Sequence, residues 1–217
     1  MISFPPAFFI TGTDTNVGKT IVSAWLMRSL GAAYWKPIQS GVIPCTDTDT
    51  VRSLTGLDES YFIPERFCLT QPLSPHAAAA IDGVQLNLSD FQLPMTTKPH
   101  LIVEGAGGLC VPINEQDLMI DLIQSLKLPV CLVARPSLGT INHTLLSLQQ
   151  LRQAKIPILG VILSGRKNPS NAAAIVHYGK INLLAELDFF APLNPKTIAQ
   201  SAKIWKESYL NFTETDD

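Results

Sequence analysis

The chain has 217 residues, 46% of them hydrophobic, with 16 Lys+Arg against 18 Asp+Glu for a formal net charge of −2. That length and apolar content suit a single domain, residues 1–217, around one large core, and the near balance of charge gives no electrostatic ground for nucleic acid or an anionic membrane as partner. No apolar run is long enough to cross a bilayer, the opening Met1-Ile2-Ser3-Phe4-Pro5-Pro6 lacks the form of a secretory signal, and Cys45, Cys68, Cys110 and Cys131 are scattered without a CxxC pair. The expectation is a soluble, cytoplasmic protein with reduced thiols.

The first element is a strand, Ala7–Thr11, carried by Ala7-Phe8-Phe9-Ile10. It leads into Gly12-Thr13-Asp14-Thr15-Asn16-Val17-Gly18-Lys19-Thr20 and an amphipathic helix over Lys19–Leu30. Strand, glycine-bounded loop, then Lys-Thr opening a helix is the sequence form of a phosphate cradle. Loop N–H groups and the positive helix end point at one spot, where a triphosphate settles. Lys19 is expected to reach the β- and γ-phosphates and the Thr20 hydroxyl to ligate Mg²⁺. The first glycine is shifted: the usual spacing falls on Thr13, and the glycine is Gly12.

A second strand, Ala33–Lys36, runs into Trp35-Lys36-Pro37-Ile38-Gln39-Ser40-Gly41. Lys36 leaves the strand edge beside the first loop, where a second cation would stabilise a transferring phosphoryl group; a surface lysine before a proline turn is the plainer alternative. Cys45-Thr46-Asp47-Thr48-Asp49-Thr50-Val51 precedes a short helix over Thr48–Leu54. Either Asp47 or Asp49 could complete a Mg²⁺ site with Thr20, and an N-cap accounts for the other. Pro64 to Pro99 is proline-rich and polar, with Leu69–His76 reading as an ordered turn into the helix-friendly Ala77–Ala80.

The third strand, Leu101–Glu104, ends in a carboxylate followed by Gly105-Ala106-Gly107-Gly108. An acid ending a buried apolar strand must be paired, hydrogen-bonded or metal-bound, and a carboxylate there holds Mg²⁺ in nucleoside-triphosphatases with this loop type. A helix over Leu118–Leu126, a strand over Val130–Ala134 with Cys131 in the core, and a helix over Thr140–Ala154 follow. Leu138-Gly139-Thr140-Ile141-Asn142-His143 opens that last helix with free N–H groups able to hold a carboxylate or phosphate; His143 reads as structural. Strands Leu159–Leu163 and Asn182–Leu187, helices Ala172–Tyr178 and Thr197–Tyr209, and a frayed tail Thr213–Asp217 complete the chain. Continuous rather than alternating apolar strands, alternating with helices, predict an α/β fold: a largely parallel sheet with helices on both faces, P-loop NTPase-like, with ligands at the carboxyl edge.

Taken in order, GTDTNVGKT (Gly12–Thr20), WKPIQSG (Trp35–Gly41), PLSPH (Pro72–His76), VEGAGGL (Val103–Leu109) and LGTINH (Leu138–His143) resemble the dethiobiotin synthetases, which share the shifted glycine. The likeness covers most of the chain from Phe8 to about Leu163. It implies an ATP-dependent, Mg²⁺-requiring ligase of biotin biosynthesis that converts 7,8-diaminononanoate and CO₂ into dethiobiotin, ADP and phosphate, through a carbamate and a carbamic-phosphoric anhydride. By motif, it implies Thr20, Asp49 and Glu104 as metal ligands, with Asp49 chosen over Asp47. Lys36 and Lys19 become the catalytic cations. Asn16, Val17, Gly18, Lys19, Thr20 and Ile21, with Gly105, Ala106 and Gly107, line the nucleotide, and Ser164 stands where the family carries an adenine-reading asparagine. Thr13, Thr15 and Ser40 become substrate contacts, together with Gly139, Thr140, Ile141 and Asn142, donated across a homodimer; Tyr178 is a candidate for the family's partner-subunit tyrosine. A ParA/MinD-like switch ATPase is the main alternative, although Asp14 occupies the place of its extra lysine; a cobyrinate-type amidotransferase would need a glutaminase domain that this length does not hold, and a small-molecule kinase would not account for the paired Lys36–Ser40 and Glu104–Gly108 motifs.

Overall fold

The computed structural model describes residues 4–214, with side chains to 208. In chain order the elements are β1 (Ala7–Gly12), α1 (Lys19–Leu30), β2 (Ala33–Trp35), β3 (Ile38–Ser40), α2 (Asp47–Thr55), β4 (Phe62–Ile63), β5 (Phe67–Leu69) and α3 (Pro75–Asp82). There follow β6 (Leu101–Gly108), α4 (Met119–Leu126), β7 (Val130–Ala134), α5 (Thr140–Gln153), β8 (Ile158–Ser164), α6 (Pro169–Gly179), β9 (Leu183–Leu187) and α7 (Pro195–Glu214). Seven strands form one sheet in the order β4-β2-β6-β1-β7-β8-β9, and every pairing in it is parallel. A separate parallel pair, β3 and β5, stands beside it. Among the described residues no helix is long and apolar enough to cross a membrane.

The strands read as continuous apolar runs because both faces are covered. Alternate residues feed two cores. Phe8, Ile10, Tyr34, Ile102, Cys131, Val133 and Ile162 pack with Trp25 of α1, Val51 of α2 and Ile198 of α7. Phe9, Trp35, Val103, Leu132 and Val161 face Ala78 of α3, Ile120 of α4, Leu148 of α5 and Ile175 of α6. A parallel sheet covered in this way ends its strands at one edge, and the loops there are the natural ligand site. The order of strands brings β1, β2 and β6 together, so the loops after all three lie side by side.

Several boundaries differ from the sequence expectation for local reasons. β6 continues past Glu104 to Gly108, because Gly12 of β1 still finds a parallel partner in Gly108 after a register shift. Glu104 is therefore within a strand rather than ending one. β2 stops at Trp35, and Lys36 lies just beyond it. Helix α6 begins at Pro169: Asn168 caps it by accepting the Asn171 N–H, and proline suits the first turn. Thr213 and Glu214 of the expected frayed tail belong to α7, and 215–217 lie outside the described residues. The short strands β3, β4 and β5, with two or three residues each, carry no periodicity to detect.

Candidate active site

The loop between β1 and α1 is shaped by two residues with left-handed backbone, Asn16 (φ 57°) and Gly18 (φ 97°). Such alternation turns successive N–H groups to one side and makes an anion-binding concavity. The shifted glycine has a steric cause. A Cβ on Gly12 would meet Asp14 O and Val17 Cγ2 at 2.7 Å, and Lys19 Nζ at 3.2 Å. The loop closes over that backbone, and Lys19 folds back to donate to Asp14 O at 3.1 Å. Val17 is buried and anchors the loop in the core.

The second cation comes from the opposite side. Lys36 is 3% exposed, and its Nζ is ringed by Asp47 Oδ2 at 2.5 Å, Glu104 Oε1 at 3.1 Å and the Gly105 carbonyl at 3.2 Å. Burial would lower its pKa, but the charges of Glu104 and Asp47 outweigh that, and the ammonium is held above the ordinary lysine range. Lys19 has the reverse balance. Burial first, then repulsion from Lys36, press it down to about 8. Asp47 resists burial through Lys36 and the Thr20 hydroxyl, which hold its carboxyl below the usual range.

Thr20, at the start of α1, sits between the two acids: its Oγ1 lies 3.2 Å from Asp47 Oδ1 and 3.1 Å from Glu104 Oε1. A threonine hydroxyl has one proton and cannot donate to both at once. Lys36 meets both acids from the other side and supplies counter-charge to them. Two carboxylates and a hydroxyl are all hard oxygen donors, a set that fits Mg²⁺ completed by phosphate oxygens.

Asp49, which the sequence resemblance favoured as metal ligand over Asp47, is turned away. Thr46 caps α2 and accepts the Asp49 N–H, while the Asp49 carboxylate accepts the Thr46 N–H in return, a full capping box. Asp49 also pairs with Arg52 at 2.8 Å on the exposed face. The correction is a matter of helix phase: with its carboxylate committed to the cap, Asp49 leaves Asp47 as the acid facing Thr20 and Lys36. The Asp47 N–H is in turn held by Gln39 Oε1 at 3.0 Å. The pattern Thr46-Asp47-Thr48-Asp49 is itself a capping-box signature, the signal by which sequence alone separates the two acids.

A cavity of about 950 Å³ opens at this cluster. Of the residues expected at the site, Thr15, Asn16, Gly18, Lys19, Thr20, Ile21, Lys36, Ser40, Glu104, Ala106 and Gly107 line it. The Ser40 hydroxyl is buried there with no hydrogen-bond partner. Thr13 and Gly105 do not line it: the Thr13 N–H donates to Val133 O at 2.9 Å, and the Gly105 carbonyl accepts from Lys36 at 3.2 Å. Ser164 lies in a neighbouring hollow of about 510 Å³ with Asn16, Arg135, Pro136 and Phe189. Gly139, Thr140, Ile141 and Asn142 are at the start of α5, outside both cavities; the preceding Leu138 is 97% exposed. Tyr178 is exposed on α6. Sequence reasoning missed two hydroxyls behind Glu104, those of Ser23 and Tyr34.

Comparisons with known proteins identify the family. A family model described as an AAA domain matches residues 6–197. The ATP-dependent dethiobiotin synthetase BioD of Paramagnetospirillum magneticum is 49% identical over 191 residues, 88% of this chain and 92% of that protein. The biotin biosynthesis bifunctional protein BioCD of Bordetella avium is 47% identical over 204 residues, 94% of this chain and 43% of that longer protein. Among solved structures, pNOB8 ParA bound to nonspecific DNA has a TM-score of 0.56 at 11% identity, covering 99% of this chain and 100% of that one; at that identity the likeness concerns the P-loop NTPase fold alone. The chain is a ligase and belongs to the ATP-dependent dethiobiotin synthetase family.

Proposed function

We propose that the chain carries out the Mg²⁺-dependent, ATP-driven carboxylation and ring closure of 7,8-diaminononanoate with CO₂, giving dethiobiotin, ADP and phosphate. One amine takes up CO₂ as a carbamate. A carbamate oxygen attacks the γ-phosphorus and ADP leaves, and the second amine then attacks the carbamoyl carbon and expels phosphate. The observation that carries this reading is the convergence of Lys19, Lys36, Thr20, Asp47 and Glu104 at one cavity mouth.

An anion attacking a triphosphate needs positive charge where the new bond forms. Lys19, from the cradle, faces the phosphates. Lys36, poised opposite, is the catalytic cation that meets the attacking carbamate. Thr20, Asp47 and Glu104 would hold Mg²⁺, which when bound neutralises charge on the β- and γ-phosphates. The N–H groups of residues 16–21 and of Gly105, Ala106 and Gly107 orient the nucleotide. The unpartnered Ser40 hydroxyl, with Thr13 and Thr15, would orient the diamine for both attacks, an orientation effect that is large in such reactions. Ser164 borders the hollow proposed for the base.

The start of α5, with exposed Leu138 and the backbone of Gly139, Thr140, Ile141 and Asn142, of which the Thr140 N–H is turned to Ser137 O at 3.1 Å, fits a homodimer in which one protomer binds the substrate carboxylate for its partner. The reaction is assigned to the cytoplasm. Incubation with the diamine, bicarbonate, Mg²⁺ and each of the four nucleoside triphosphates, following the cyclic urea by mass, tests the reading. Product is expected only when all components are present; its absence with every nucleotide refutes the proposal. The same panel reports the base preference.

A further inference from the structure

Glu104 is fully buried, and its two oxygens have different surroundings. Oε1 faces the cavity and meets Thr20 Oγ1 and Lys36 Nζ, each at 3.1 Å. Oε2 points back into the protein, where the Ser23 hydroxyl donates to it at 2.5 Å and the Tyr34 hydroxyl at 3.2 Å. Both donors are 0% exposed. Ser23 lies one helical turn past Thr20 on α1, so both hydroxyls look toward β6 from one face. Tyr34 of β2 is opposite Ile102 of β6, and Glu104, two residues on, shares that face.

A lone buried carboxylate is costly, and neutral hydroxyl donors satisfy one oxygen without cancelling the charge. With Oε2 occupied, the carboxylate cannot rotate to offer both oxygens to Lys36. Its charge and remaining lone pairs are presented through Oε1 alone.

We propose that Ser23 and Tyr34 are positioning residues for the metal: by fixing Oε2 they aim Glu104 Oε1 at the cation site and set the affinity for the divalent ion. This inference rests on the reading of Glu104 as a Mg²⁺ ligand. Removing the Ser23 hydroxyl frees Oε2 to turn toward Lys36, tightening the ammonium–carboxylate pair at the expense of the metal. Outer-shell partners of metal ligands commonly contribute about 10- to 100-fold in affinity.

The test uses Mn²⁺ as spectroscopic probe. Free and bound Mn²⁺ are counted by electron paramagnetic resonance in the presence of a non-hydrolysable ATP analogue, alongside thermal melts and nucleotide affinity in chelator. For Ser23→Ala, Mn²⁺ affinity is expected to fall about 10- to 100-fold. Tyr34→Phe, losing the longer bond, is expected to lose about three- to tenfold. Metal-free nucleotide affinity should stay within about twofold for both. A lowered melting temperature with unchanged Mn²⁺ affinity in Ser23→Ala and in the double variant overturns the proposal, because it reduces the two hydroxyls to packing. If Ser23→Ala does not melt cooperatively, the Mn²⁺ affinity of Tyr34→Phe decides alone, and an unchanged value overturns the proposal. A wild-type protein that forms no cyclic urea defeats the proposed function, whereas a productive wild type whose variants bind Mn²⁺ normally defeats only the positioning role.

Discussion

Lys19 is expected to weaken the ligand-free protein, and replacing it with methionine should stabilise the fold while destroying its use. Lys19 is 7% exposed and has its pKa pressed from 10.5 down to about 8, chiefly by burial and then by Lys36. At about 1.4 kcal/mol per tenfold change in proton affinity, holding it charged below pH 8 costs the folded state about 3 kcal/mol. Methionine keeps most of the stem and removes the charge, giving up only the bond to Asp14 O. Lys19→Met should therefore gain about 1–3 kcal/mol in urea unfolding at pH 7 without nucleotide.

The sign of the pH dependence follows from the same shift. Below pH 8 both folded and unfolded lysine are protonated and the penalty is complete. Between pH 8 and 10.5 the folded lysine sheds its proton while the unfolded one keeps it, so wild-type stability gains on the variant as pH rises. The gap between the two proteins should be widest at about pH 7, should narrow as pH rises through about 8 to 10.5, and should close only above that. Adding ATP should reverse the order at about pH 7, because the phosphates supply the counter-charge that the empty cradle lacks and bind only the lysine form productively. A variant that is less stable than wild type at neutral pH, or a gap independent of pH, refutes the reasoning.

Further outcomes test the rest of the site. Asp47→Asn should lower turnover about 100-fold or more by weakening the metal site, whereas Asp49→Ala should keep turnover near wild type and cost about 1 kcal/mol through loss of its half of the capping box; matched steady-state kinetics and melts decide between them. Lys36→Ala should reduce kcat about 100- to 1000-fold with less than about tenfold change in nucleotide affinity, measured by product formation and by calorimetric titration. The same variant leaves Asp47 and Glu104 facing each other, so its melting temperature in chelator should fall and Mg²⁺ should restore much of the loss. Gly18→Ala should abolish nucleotide binding by titration, since the position is left-handed and a Cβ would press on the Ser164 side chain.

What the sequence discloses and what it hides divide along the range of the forces involved. The phosphate cradle is legible because strand, tight loop and helix start are decided within Ala7–Leu30, and the shifted glycine follows from contacts with Asp14, Val17 and Lys19 close by in the chain. The parallel sheet is legible because strands covered on both faces must be apolar throughout. The backing of Glu104 is not, because Ser23 and Tyr34 reach it from sequence separations of 81 and 70 residues, and a serine inside a helix or a tyrosine inside a strand carries no local mark of a distant carboxylate. Asp47 and Asp49 fall between these cases. Two positions on a helix diverge by about 200°, so only one can face the cradle, and which one does is set by the Thr46 cap that claims the other. The resemblance, matching Val51 and Leu54 to the family's short helix, points to Asp49, and the capping box at Thr46 turns that carboxylate away. Capping is the step at which local backbone chemistry selects the acid that serves the site.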